Sequence, residues 1–245
     1  MQKLAASWRL GNAAPQVGLL LVGLAGCGGG DLTLPGSQGE RLALAAVGGN
    51  GQAGVVGEEL PLPLVVAVRN DAGTPAVGLR VVFVSTSGAG GFANDTVLTD
   101  AAGQATARWS LGTAAGPYTA EARVVVDPDS APAPVVFEAT ANPGDPDTLR
   151  PVGSTIQAGS RGETLDEPLV VLVVDRFGNP VPDTNIEWNT SSGSGDVSSE
   201  TTASAPDGTA SVTWTLGNRV GVQSATAKVD HGHGDEVTFM ATVPF

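Results

Sequence analysis

The chain repeats itself at one fixed offset. Residues 57–68, GEELPLPLVVAV, return 105 positions later as residues 162–173, GETLDEPLVVLV. Such a self-match constrains architecture before any single residue is interpreted. It runs without a gap over residues 44–124 and 149–229. Gln52-Ala53-Gly54 meets Gln157-Ala158-Gly159, and Trp109-Ser110-Leu111-Gly112 meets Trp214-Thr215-Leu216-Gly217. Past Val124 the first copy carries a longer loop, residues 127–134, after which Phe137 aligns with Phe239 at an offset of 102. Copies of this length fit the usual domain size of about 100 residues.

Inside each copy the apolar residues keep period two. Leu64, Val66 and Val68 alternate with Val65, Ala67 and Arg69, and the charge on Arg69 marks the wet face. Leu169, Val171 and Val173 repeat the pattern. Val81 and Phe83, Ile186 and Trp188, the Ala105–Leu111 and Ala210–Leu216 alternations, and Ala120, Ala122 and Val124 supply further inward sets. Period two with polar partners predicts antiparallel sheets with one buried face. Gly- and Asp-rich turns separate about seven short strands per copy, at the spacing of a sandwich. The expected fold class is all-β, with two tandem antiparallel β-sandwich domains. Cys27 is the sole cysteine, so each core is expected to hold by packing without a disulfide.

The N-terminus reads as an export signal. Lys3 and Arg9 precede an apolar stretch, residues 17–25, too short to span a bilayer as a helix. Leu24, Ala25 and Gly26 then lead into Cys27, a run that resembles the bacterial lipobox. The resemblance implies cleavage before Cys27 and lipidation of it, and gives the lone cysteine of an exported chain a purpose. Gly28, in place of an aspartate, points to the outer membrane of the cell envelope, facing the periplasm or the exterior. The expected organisation is a signal peptide (1–26), a lipidated cysteine with a flexible tether (27–40), a first domain (41–140), a stiff linker, ANPGDPD (141–147), and a second domain (148–245). The two domains are expected to touch little.

The whole sequence has a formal charge of −13. Residues 1–26 contain Lys3 and Arg9 and no acid, so the remainder stands at −15. That balance argues against nucleic acid or an anionic lipid surface as partner, since both require a basic patch. The expected solution state is a monomer.

One turn and one strand together carry a family resemblance. Asp175-Arg176-Phe177-Gly178-Asn179-Pro180-Val181, with Trp214-Thr215-Leu216-Gly217, resembles the bacterial Ig-like domains of the invasin/intimin type, the Big-1 class. Copy one keeps Thr99-Asp100-Ala101-Ala102-Gly103 before its Trp strand but has Asn70-Asp71-Ala72-Gly73-Thr74-Pro75 at the first turn. Copy two has Ser204-Ala205-Pro206-Asp207-Gly208 at the second. The resemblance spans residues 41–245. It implies Ig-like sandwiches used as adhesive or spacer modules at the bacterial surface, without an active site.

Few residues offer chemistry. His231 and His233, the only histidines, flank Gly232 with Asp230 and Asp235 nearby; a loop with two histidines and no further fixed ligands makes a weak metal site. Asp127, Asp129, Asp145 and Asp147 could approach calcium, but the alternating acids of an EF-hand are absent. Nucleophilic catalysis needs a base beside the nucleophile, and both histidines lie in one loop. No Gly-x-Ser-x-Gly, His-Glu-x-x-His or phosphate-binding glycine loop occurs. The expectation is a non-enzyme without cofactors. Trp109 and Trp214 are read as core residues, not sugar platforms. Tyr118 aligns with Gln223 and is read as exposed, the better candidate for a contact to a protein or glycan partner. The functional expectation is an adhesion or interaction module. The alternatives are a structural spacer, an accessory subunit of an envelope complex, or a carbohydrate-binding accessory module.

Overall fold

Alternating burial organises the observed strands. The computed structural model describes residues 41–229 and 236–245. The first copy forms β1 (Leu42–Gly48), β2 (Gln52–Val55), β3 (Leu64–Asn70), β4 (Arg80–Ser87), β5 (Gly91–Phe92), β6 (Thr96–Leu98), β7 (Gln104–Ala107), β8 (Trp109–Ser110), β9 (Gly116–Val124) and β10 (Val135–Asn142). The second repeats the series as β11 (Pro146–Val152), β12 (Ile156–Ala158), β13 (Leu169–Asp175), β14 (Asn185–Thr190), β15 (Asp196–Val197), β16 (Thr201–Ala203), β17 (Thr209–Val212), β18 (Trp214–Thr215), β19 (Gly221–Val229) and β20 (Val237–Val243). A 3-10 turn, Pro128–Ser130, sits in the longer loop of copy one.

Each copy folds as a sandwich. A three-stranded sheet, β1-β3-β7, faces a five-stranded sheet, β2-β10-β9-β4-β6, and a short ribbon pairs β5 with β8. The second copy has the same orders, β11-β13-β17 and β12-β20-β19-β14-β16, with β15 paired to β18. Pairing is antiparallel except at one edge of each large sheet, where β2 runs parallel to β10 and β12 parallel to β20. The antiparallel sandwiches expected from the sequence thus each carry one parallel edge pairing. The first strand of each copy changes sheets midway: β1 pairs with β3, and the chain then crosses to the other sheet as β2. Gly49 permits the crossing. Its φ is +86°, and a Cβ there would lie 2.3 Å from the Pro63 carbonyl oxygen.

Two separate cores fill the sandwiches. The first holds Leu64, Val66, Val68, Val81, Phe83, Trp109, Ala120, Ala122 and Phe137. The second holds Leu169, Val171, Val173, Ile186, Trp188, Trp214, Ala225, Ala227 and Phe239. Every residue of the inward sets read from the sequence is buried. The two tryptophans read as core residues, Trp109 and Trp214, are buried too.

Those tryptophans differ in one bond. Trp214 Nε1 donates to the Ser194 carbonyl at 2.7 Å. Trp109 Nε1 is a buried donor without a protein acceptor. Position 89, equivalent to 194, holds Ala89. The Ser194 hydroxyl accepts the Ser224 N–H and draws its loop over the indole. In copy one the matching Thr119 N–H bonds to Ser87 Oγ instead, so that tie is missing. Both Trp→Phe changes lose similar area, but only Trp214→Phe leaves a buried carbonyl unpaired. It is expected to cost about 1 kcal/mol more than Trp109→Phe in urea denaturation.

Candidate functional site

Among the described residues, those singled out from sequence do not converge. Cys27 with Leu24, Ala25 and Gly26, and His231 with His233, lie outside the described residues. Asp127 caps the 3-10 turn by accepting the Asp129 N–H. Asp145 and Asp147 line a cleft at the other end of the first copy. Among the described residues, no group of three or more His, Cys, Asp or Glu could hold a metal ion.

The expected exposure of Tyr118 is corrected. Its residue is only 2% exposed, and its ring meets Trp109 edge-on at 6.4 Å. Its hydroxyl donates to the Ala114 carbonyl at 2.9 Å. Gln223, at the equivalent position, is 1% exposed and donates to the equivalent carbonyl, Arg219, at 2.6 Å. Gln223 also exchanges bonds with Gly217 N and O. The alignment with glutamine pointed to solvent. In fact both polar ends serve an inward task, tying the loop before β9 or β19 to the strand.

The turn that carries the family resemblance makes the junction between the sandwiches. The described residues belong to one unit, Gln38–Phe245. Asp175 ends β13 and is 2% exposed. Its Oδ1 accepts the N–H groups of Phe177 and Asn179, both at 2.9 Å. Its Oδ2 accepts the Gly144 N–H of the linker at 2.9 Å and the Asn179 side-chain amide at 2.8 Å. Asn179 reaches on into the first copy. Its amide nitrogen donates to the Thr113 carbonyl, and its Oδ1 accepts the Ala115 N–H, each at 2.8 Å. Phe177 lies over Gly57, where a Cβ would stand 3.2 Å from the ring. Arg176 stacks on the Phe177 ring at 4.6 Å. The cleft beside this contact, about 800 Å³, is lined by Glu58, Asp145, Asp147, Arg176 and Asp183 among others. The two domains were expected to touch little, and this junction corrects that. Sequence reading took Asp175 and Asn179 as turn residues. The available signal was the difference between copies: Phe177 and Asn179 stand where copy one has Ala72 and Thr74.

Burial pushes the Asp175 carboxyl up, but four hydrogen bonds to its charged form outweigh burial and hold its pKa below the usual aspartate value. A carboxyl with a lowered folded pKa stabilises fully above its unfolded value, about 3.9, and the effect is lost as pH falls through the folded value. The junction is therefore expected to stay closed at neutral pH and to loosen only below the ordinary aspartate range, as read by NMR relaxation of the two domains. Asn179→Ala removes two cross-junction bonds, each worth about 1 kcal/mol, and should let the domains tumble more independently at neutral pH. Asp175→Asn should keep the turn, since Asn70 builds the same turn in copy one through Ala72 N and Thr74 N. It should lose the tie to Gly144, because an amide turns a donor toward a donor.

No protein-family model and no curated protein sequence matches the chain. Solved structures do. The chain superposes on FdeC, an Escherichia coli adhesin, with a TM-score of 0.54 at 13% identity, covering 84% of this chain and 64% of FdeC. It superposes on Yersinia pseudotuberculosis InvD with a TM-score of 0.50 at 21% identity, covering 82% of this chain and 57% of InvD. The D00-D0 domain pair of intimin gives 0.42 at 17% identity, over 81% of this chain and 98% of that one. The repeat, the two sandwiches and the likenesses to FdeC and InvD give the chain a tandem Ig-like β-sandwich fold.

Proposed function

We propose that the chain is a non-catalytic, lipid-anchored protein of the cell envelope whose two Ig-like domains form an adhesion or interaction module. The observation that carries this reading is the tandem sandwich shared with an adhesin, FdeC. The lipobox-like run ending at Cys27 supplies the anchor, and Gly28 favours the outer membrane. Partner binding then uses loops and strand edges, and the partner is a protein or a glycan. A second reading, a structural spacer or accessory subunit, is favoured by the hydrogen-bonded junction at Asn179, which holds one domain against the next. Cys27→Ala followed by membrane fractionation tests the anchor. The expected result is release into the soluble or inner-membrane fraction, and unchanged outer-membrane retention overturns it. Protease treatment of intact cells then separates the roles: cleavage supports an outward adhesive module, while full protection favours a periplasmic spacer.

A further inference from the structure

We propose that each sandwich resists stretching of the chain through the parallel ladder between its entering and leaving strands, and that the second sandwich yields before the first. Tension along the chain enters the first sandwich through β1 and β2 and leaves it through β10. β2 and β10 lie side by side and run the same way. Tension draws β2 backward along its axis and β10 forward along its own, so the two are driven to slide past each other. The bonds between parallel strands are evenly spaced. Under sliding they share the load and break together, whereas peeling breaks them one at a time. β12 and β20 repeat the arrangement in the second sandwich.

The other pairing under load is equal in the two copies. β1 meets β3 through six residue pairs, and β11 meets β13 through six. The parallel ladders are unequal. The first joins Gln52–Val55 to Ala139–Asn142, and the second joins only Ile156–Ala158 to Met240–Thr242. Their ends differ as well. At the start of the first ladder Glu138 is held twice. Its N–H donates to Asn50 Oδ1 at 2.8 Å, and its carbonyl accepts the Gly51 N–H at 2.9 Å. In the second copy Ile156 stands in place of Gly51, and its N–H turns to Ser154 Oγ in its own turn at 3.2 Å. At the far end the first ladder runs on to the Val56 N–H, which meets the Asn142 carbonyl at 3.0 Å. The second reaches the Gly159 N–H on the Thr242 carbonyl at 3.2 Å, two positions short of that. Gln52 also ties β2 to the following loop, donating to the Gly49 and Leu62 carbonyls and accepting the Leu62 N–H. The equivalent Gln157 donates to the Glu167 carbonyl at 3.2 Å.

Forced unfolding follows the unfolding rate, and one hydrogen bond changes such a rate about fivefold. The first sandwich therefore opens at the higher force, and the second acts as the extensible element. This order follows from the strand pairing alone. It stands whether or not Cys27 carries a lipid, although an anchored adhesive module is the setting in which tension reaches the domains.

Single-molecule stretching of the full chain with Cys27→Ala, held by tags at both termini, tests the proposal. The sandwiches release similar lengths of chain, so disulfides are used to tell them apart. Ala53 and Thr140 are paired and exposed, as are their equivalents Ala158 and Thr242. Adjacent strands lie within disulfide reach. Two unfolding steps are expected without added cysteines. Ala53→Cys with Thr140→Cys, oxidised, should abolish the higher-force step. Ala158→Cys with Thr242→Cys, oxidised, should abolish the lower-force step, and reduction should restore both. Asn50→Ala should speed the higher-force step about fivefold at constant force and leave the other unchanged. Loss of the lower-force step on bridging positions 53 and 140 overturns the proposal. So do two steps of equal force, or a higher-force step indifferent to Asn50→Ala.

Discussion

The carboxylate of Asp175 joins three segments that are otherwise independent. One oxygen closes the turn after β13, and the other holds the linker at Gly144 and orients Asn179. A buried charge persists only when its lone pairs are satisfied, and here four N–H groups satisfy them. The result is mechanical: the residue that shapes a turn also fixes the approach of one sandwich to the next. Asn70 performs the first task in copy one, with the same two backbone partners, but has no second anionic oxygen to hold a linker and an amide together.

Matched positions show what the fold tolerates. Thr99 and Ser204 are both buried hydroxyls. Thr99 Oγ1 donates to the Ala76 carbonyl and accepts the Leu79 N–H. Ser204 Oγ makes the equivalent bonds to Val181 and Thr184. The change from Thr-Asp to Ser-Ala in that turn therefore leaves the hydroxyl in place, and Asp207 takes over as the local acceptor for Thr209. Tyr118 and Gln223 are a larger exchange with the same end point, a donor placed on one loop carbonyl. At these two places the interior keeps a hydrogen-bond task while the residue type changes, whereas the paired tryptophans keep the residue and lose the bond.

Much of the fold was legible because strand burial is a local, alternating property. Arg69 at the end of β3 assigns Leu64, Val66 and Val68 to the core without knowledge of what they pack against. The repeat added the second domain without further reasoning. Sidedness failed at Tyr118, where alignment with a polar residue was taken for exposure. Period two from Ala120, Ala122 and Val124 puts position 118 on the inward face, but alternation does not show that the hydroxyl finds the Ala114 carbonyl four residues earlier. The sheet change between β1 and β2 was equally hidden, because a glycine pair marks a turn but not its destination.

The sequence by itself determined an all-β chain of two copies, their inward faces, their turns, and a lipobox-like run at Cys27. Those features depend on neighbours along the chain: period, spacing and turn chemistry. Only the tertiary structure decided that β2 and β12 pair in parallel, that the Tyr118 hydroxyl meets the Ala114 carbonyl, and that Asn179 crosses from one domain to the next. The parallel pairing and the Asn179 crossing rest on groups distant in sequence, in the last case 66 positions from Asn179 to the Thr113 carbonyl. Hydrogen bonds of that kind have no periodic trace, so they become visible only when the chain is folded.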